Sequence, residues 1–345
     1  ITSATNPVAV SANINHSGQV CSGQQASFSV SVTNGGGSPT YTWYRGSNPA
    51  TDNIISGNTN TYQPYYALST GETIKCQVTS NASCISGSAT VWSNTVTISV
   101  TPVPGIPGAL DANSVTTSSF TARWNTQSGA SAYRLDIATN SNFGSLILSN
   151  SYQTGTSYSI SGLSAGNTYY YRVRAENCSG TSGNSNTVTT TLIPPAPTGL
   201  YINTVTSSSF NAYWDATNGA SGYRLDVSTS SGFGSFVNGY NDLPVSGTSQ
   251  SVTGLSAGTT YYYRIRATNA WGTSASSSAV GVLLLPAPPS SNNASSITTS
   301  SFTASWGSIT SATGYRLDVS TSSGFGSFVS GYNNLTVSGT SQSVT

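Results

Sequence analysis

Short runs in which every second residue is apolar recur along the chain, separated by clusters of Gly, Ser, Asn and Thr. Phe28, Val30 and Val32 alternate with polar residues, Asn34-Gly35-Gly36-Gly37 breaks the run, and Tyr41-Thr42-Trp43-Tyr44 resumes it. Successive side chains of a strand point to opposite faces, so Phe120, Ala122 and Trp124 are predicted to face one way and Thr121 and Arg123 the other. By the same parity Tyr133, Leu135 and Ile137 point inward, which leaves Arg134 and Asp136 on the solvent face. Farther on, Tyr169, Tyr171, Val173 and Ala175 go in, while Tyr170, Arg172 and Arg174 go out. A period of two punctuated by turn residues predicts all-β architecture, specifically tandem antiparallel β-sandwiches.

After residue 108 the pattern repeats. Ser119-Phe120-Thr121-Ala122-Arg123-Trp124 returns as Ser209-Phe210-Asn211-Ala212-Tyr213-Trp214 and as Ser301-Phe302-Thr303-Ala304-Ser305-Trp306, with tryptophans 90 and then 92 residues apart. Each tryptophan is followed nine residues later by Tyr-Arg-Leu-Asp, ending at Asp136, Asp226 and Asp318. Gly162-Leu163-Ser164-Ala165-Gly166 and Gly254-Leu255-Ser256-Ala257-Gly258 each precede three tyrosines. Proline-rich linkers at 102–107, 194–197 and 286–289 separate the units. Four domains are expected: 1–101, 105–193, 196–284 and a partial one at 288–345.

Composition narrows the function classes. Only 6% of the 345 residues are charged, with ten basic and nine acidic side chains. Nucleic-acid binding needs basic residues gathered on one face, so no nucleic-acid partner is expected. The longest apolar stretch, around Val280 to Leu285, falls far short of the ~20 residues that span a bilayer, so no membrane insertion is expected of this segment. Methionine is absent, position 1 included, as expected of a chain that begins after processing or belongs to something longer. Four cysteines suit one bridge in an oxidising compartment, so an extracellular or cell-surface location is expected.

The Trp strand, the Tyr-x-Leu-x-Ile strand and Gly-Leu-x-x-Gly-x-x-Tyr leading into Tyr-x-Val-x-Ala resemble the fibronectin type III domain over residues 105–345. That resemblance implies core tryptophans at Trp124, Trp214 and Trp306, and tyrosine corners at Tyr169 and Tyr261. The Leu-Asp-Val-Ser-Thr and Gly-Phe-Gly-Ser-Phe variants are similar to repeats in large secreted surface proteins of Bacteroidota-type bacteria. The first hundred residues resemble an immunoglobulin-like domain, with Trp43 as its core tryptophan and Cys76 at the second-cysteine position. Cys21 lies too early for the usual partner position, where Val30 sits, and Ile74 replaces the corner tyrosine. A Cys21–Cys84 bridge with Cys76 buried is therefore the preferred pairing, although sequence leaves the choice open.

No catalytic constellation emerges. Serine-histidine-aspartate chemistry needs a histidine, and only His16 exists, in an expected edge strand with an exposed side chain. No His, Cys or acidic cluster suits zinc, and the expected catalytic and metal residues are none. A structural calcium ion held by backbone carbonyls at a domain junction is the one cofactor weighed, since Asp111 and Asp242 stand isolated. Asp136 is expected to pair across strands with Arg172 or Arg174. Tyr170 and Tyr262, with Arg172 and Arg264 beside them, are the expected surface contacts, and the turn tyrosines Tyr240 and Tyr332 join them as sugar-stacking candidates. Guanidinium stacking on these rings is the competing expectation.

Residues 314–345 match 222–253 except at Ser330, Asn334 and Thr336, then stop where the earlier copy continues into its last two strands. Either the parent protein continues, or a neighbouring copy supplies the strands. The expected function is a non-catalytic structural or adhesive stalk of a large secreted or surface protein. The alternatives are accessory modules of a secreted polysaccharide-degrading enzyme and the subunit of a strand-exchanged fibre. Expected partners are other domains of the same protein, neighbouring copies, and surface glycans or proteins.

Overall fold

The computed structural model describes residues 7–46 and 53–345, and residues 1–6 and 47–52 of the expected first domain lie outside them. Every regular element among the described residues is a strand. The chain divides into two compact units. The first takes the residues up to Asn113, with Thr121–Ser159 and Tyr169–Thr190, and the second takes Ser114–Phe120, Ile160–Thr168 and Thr191–Thr345.

At the start of the first unit, one sheet joins Ser11–Ile14, Phe28–Thr33 and Thr61–Tyr62. The other joins Asn53–Gly57, Thr40–Gly46, Thr73–Thr79 and Thr90–Trp92, with Val96–Thr97 also on Thr73–Thr79. Their inward faces enclose Phe28, Val30, Trp43, Ile74, Cys76 and Val78. The Trp43 indole donates to Thr59 O at 2.8 Å, which satisfies its one polar atom in the core. Two parallel pairs close the edges: Val8–Ala9 with Ile85–Ser86, and Gln19–Cys21 with Ser99–Thr101.

Most of a second pair of sheets also lies in the first unit. Ala109–Asn113, Phe120–Trp124 and Ser157–Ile160 form one, and Leu146–Gln153, Ala132–Ala138, Thr168–Asn177 and Gly180–Thr181 form the other. Ala122, Trp124, Leu135, Ile137, Tyr171 and Val173 are buried. In the second unit the same plan returns with Tyr201–Asn203, Phe210–Tyr213 and Ser249–Val252 facing Leu243–Val245, Gly222–Ser228, Thr260–Asn269 and Gly272–Thr273. Its core contains Trp214, Leu225, Tyr263 and Ile265. The last segment carries Asn293–Ser295, Phe302–Ser305 and Ser341–Val344 in one sheet, and Tyr315–Leu317 with Leu335–Val337 in another. Trp306 is only half-buried, at the wall of an open cavity of about 700 Å³ that Tyr315, Leu317 and Phe325 also line.

The disulfide corrects the sequence reading. Cys21 bonds Cys178, 157 residues away, and not Cys84. Cys21 ends the strand that runs beside Ser99–Thr101, so it sits where the chain leaves the first sandwich. Cys178 lies in the turn between Thr168–Asn177 and Gly180–Thr181, and the two Cα atoms are 5.6 Å apart. Cys84 is exposed and outside the bridge. Cys76 is buried as expected, and burial pushes its thiol up to about 11.

Candidate functional site

The recurring Tyr-Arg-Leu-Asp tetrapeptide builds a polar cluster on the outer face of the larger sheet. Asp136 and Asp226 point away from the core, as parity requires, yet both are buried, which corrects the expectation of a solvent-facing carboxylate. Asp226 pairs with Arg264 Nε at 2.9 Å and Arg266 Nη2 at 3.1 Å, and its Oδ1 accepts the Asp242 amide at 2.8 Å. Asp136 repeats the arrangement with Arg172 at 3.1 Å, Arg174 at 3.4 Å and the Asn150 amide at 2.7 Å. The register places Asp136 opposite Arg172 and Asp226 opposite Arg264, so the expected cross-strand pairing holds in both copies.

An aromatic turn covers each cluster. The Arg172 guanidinium lies 4.0 Å from the Phe143 ring centroid, and Arg264 lies 4.3 Å from that of Phe233. Phe143, Phe233 and Phe325 all adopt left-handed backbone, with φ of 58°, 55° and 51°. That conformation costs a residue with a Cβ roughly 1–2 kcal/mol, which packing over the guanidinium offsets at Phe143 and Phe233. Where the arginine strand is absent from the described residues, Asp318 is exposed and Phe325 is 48% exposed, although the Asn334 amide still reaches the carboxylate. Sequence reasoning missed these phenylalanines, although each stands seven residues after its aspartate, an offset that a repeat alignment exposes.

Tyrosines brace the opposite side. The Tyr261 hydroxyl accepts the Ser256 amide at 3.0 Å, closing the corner that the motif implied, and Tyr169 is likewise buried. Tyr263 is fully buried, with its hydroxyl 2.8 Å from Tyr213 O and 2.9 Å from Tyr201 O. Desolvation pushes Tyr263 up to about 12 from an ordinary 10.0. The unfolded chain therefore ionises first. The neutral hydroxyl's contribution is complete below about pH 10 and is lost as pH rises through about 12, a total of about 2–3 kcal/mol. Tyr263→Phe is expected to remove that part of the alkaline destabilisation. Urea melts of both proteins at pH 9 and pH 11.5 check it, and equal losses in the two would contradict the assignment.

The joints between repeats reuse one side chain. Asn177, at the end of the long tyrosine strand, donates to Pro102 O at 2.8 Å and to Gly129 O at 3.0 Å. Its counterpart Asn269 donates to Leu192 O at 2.9 Å and to Gly219 O at 3.3 Å. Each amide oxygen in turn accepts the amide two residues on, from Ser179 and Trp271. At the first joint Ser179 Oγ also donates to Thr101 O and accepts the Ser22 amide, beside the Cys21–Cys178 bridge. At the second, Gly166 (φ +70°) lies so near Asn218 that a Cβ would stand 2.1 Å from its carbonyl oxygen. Only glycine fits there.

The fibronectin type III domain model matches residues 105–191 and 195–282, just over half of the chain. The chain belongs to the fibronectin type III family. Among similar proteins, chitinase A1 of Niallia circulans is 31% identical over 199 residues, covering 53% of this chain and 26% of that protein. Exoglucanase B of Cellulomonas fimi is 30% identical over 219 residues, covering 59% and 19%. A poly(3-hydroxybutyrate) depolymerase of Delftia acidovorans is 39% identical over 85 residues, covering 25% and 16%. The chain thus spans about a quarter or less of the length of these relatives. The FN1–FN3 domains of chicken CNTN1 match with a TM-score of 0.31 at 15% identity, covering 81% of this chain and all of theirs.

The other side chains singled out in sequence are engaged within the fibronectin type III repeats or the sandwich before them. Tyr170 and Tyr262 are half-buried, and Tyr262 lies across Gly281 on the neighbouring strand. The arginines stack on Phe143, Phe233 and, for Arg134, on Tyr152, rather than on Tyr170 or Tyr262. Arg172 and Arg264, expected as surface contacts, are committed to the buried aspartates. The hydroxyls of Tyr240 and Tyr332 accept the amides of Thr253 and Thr345. His16 is half-buried outside any strand, because its ring packs 4.5 Å from Phe28 and its Nδ1 accepts the Gly18 amide at 2.8 Å. Among the described residues no group of three His, Cys, Asp or Glu side chains could hold a metal ion. No helix among them is long and apolar enough to cross a membrane.

Proposed function

We propose that this segment is a non-catalytic spacer of a large secreted or cell-surface protein, built to hold successive β-sandwiches at fixed joints. The observation that carries this reading is the repeated asparagine clasp, in which Asn177 ties a linker carbonyl, and Asn269 a carbonyl at the end of the preceding repeat, to the repeat that follows. A linker whose carbonyls are held by the next domain loses the freedom of a proline-rich tether. The inter-sandwich disulfide supports an oxidising, extracellular setting. On this reading the partners are further domains of the same protein, neighbouring copies, and glycans or proteins at the surface. Hydrogen-exchange mass spectrometry of the whole chain tests it. The linker amides are expected to be protected in the wild type, and Asn177→Ala with Asn269→Ala is expected to speed their exchange. Unprotected linker amides in the wild type sink the spacer reading.

A second reading is favoured by the relatives named chitinase A1 and exoglucanase B. Here the same repeats are accessory modules of a secreted polysaccharide-degrading enzyme whose chemistry resides elsewhere on the polypeptide. Recovering the native parent polypeptide and assaying it on chitin and cellulose separates the two readings.

A further inference from the structure

We propose that the first sandwich carries a binding site for a neutral polysaccharide, centred on Tyr65 and Tyr66. This goes beyond the spacer reading and does not depend on it. The two rings are 85% and 73% exposed, and among the other large hydrophobic side chains of the described residues only Ile297 matches the lower value. They meet edge to face with centroids 5.0 Å apart, so they present two differently inclined aromatic surfaces. Aromatic faces left in water carry a standing cost that a stacked ligand removes.

The rings border a cavity of about 180 Å³, on the scale of one hexose ring, whose wall is polar along Gln24 and Gln25 and apolar at Leu68. Its lining contains no ionisable group other than the tyrosine phenols. An anionic ligand would find no counter-charge there, and no carboxylate pair is present to cleave a glycosidic bond. A ligand made of hydroxyls and C–H faces finds both of its complements, amides for the hydroxyls and tyrosine rings for the C–H faces. The amides are already oriented: Gln63 Nε2 donates to Gln25 Oε1 at 2.8 Å, which leaves the Gln25 donors for an incoming hydroxyl.

The loop that carries the tyrosines is braced from below. Arg45 Nη2 donates to Ala67 O at 2.9 Å, and the Ser69 amide donates to Glu72 Oε2 at 2.7 Å. Arg45 and Glu72 are themselves paired at 2.9 Å, and Pro64 is buried beneath the loop. A site held in shape before the ligand arrives avoids the ordering cost of a free loop.

Affinity electrophoresis of the whole chain through gels containing hydroxyethylcellulose, barley β-glucan, xyloglucan, galactomannan or alginate tests the proposal. Retardation by at least one neutral polymer is expected, with none by alginate. Tyr65→Ala with Tyr66→Ala is expected to weaken it about tenfold or more, while Tyr65→Phe with Tyr66→Phe keeps it, because stacking does not need the hydroxyls. The alanine variant's circular dichroism and melting point should match wild type, since both side chains stand in solvent. No retardation by any neutral polymer, retardation unchanged in the alanine variant, or retardation by alginate alone would each overturn the assignment.

Discussion

Cys178→Ser is expected to lower the stability of the first unit by about 4–5 kcal/mol, the largest single effect in this chain. The bridge closes a loop of 157 residues. Removing it returns the closure entropy of such a loop to the unfolded state, about 5 kcal/mol on the chain-entropy account. The hydrogen bonds at the same junction, Ser179 to Thr101 and Ser22 to Ser179, depend on the turn that Cys178 occupies and weaken with it. For a cooperative unit of this size the loss lowers Tm by about 10 °C or more. Thermal melts of wild type with and without reductant, and of Cys178→Ser, measure it. Cys84→Ser is the matched control and keeps the Tm shift on reduction, since Cys84 lies outside the bridge. A wild-type Tm indifferent to reductant would place the stability of this unit wholly in its two cores.

Asp226→Ala comes second, at about 3 kcal/mol within the second fibronectin type III repeat. The side chain is almost wholly buried and holds two guanidinium groups and the Asp242 amide. Removing one partner of a buried pair leaves the others uncompensated, which costs about 3–5 kcal/mol. The lower end applies because the arginines are partly exposed and regain some water. The amide hydrogens of Thr260–Asn269 are expected to exchange about a hundredfold faster, read by hydrogen-exchange mass spectrometry. Unchanged exchange in that strand would show that burial of the carboxylate does not govern the cluster.

The burial of Asp136 and Asp226 marks where sequence reasoning stops. Parity placed Asp136 opposite Leu135 and on the outer face, and it is there. Exposure does not follow from parity, because the turn carrying Phe143 folds back over that face and Asn150, in the neighbouring strand, donates its amide to the carboxylate. Tyr170 shows the same limit, pointing outward yet half-buried. The disulfide shows a related limit. A Cys21–Cys84 pair keeps both cysteines within the first domain, but a bond needs Cα atoms within about 7 Å, and that proximity is set by where the chain leaves the sandwich.

What the sequence determined by itself is the all-β class, the alternating core of Phe28, Trp43, Trp124, Leu135, Trp214 and Leu225, and the fibronectin type III repeats. These are local or periodic properties: a two-residue alternation and a motif returning at 90 and 92 residues survive without coordinates. The tertiary structure decided the Cys21–Cys178 bridge, the asparagine clasps, the burial of Asp136 and Asp226 and the braced tyrosines at 65 and 66. Each joins residues far apart in the chain through a single side chain, and no periodicity records which distant backbone a given amide, thiol or carboxylate will meet.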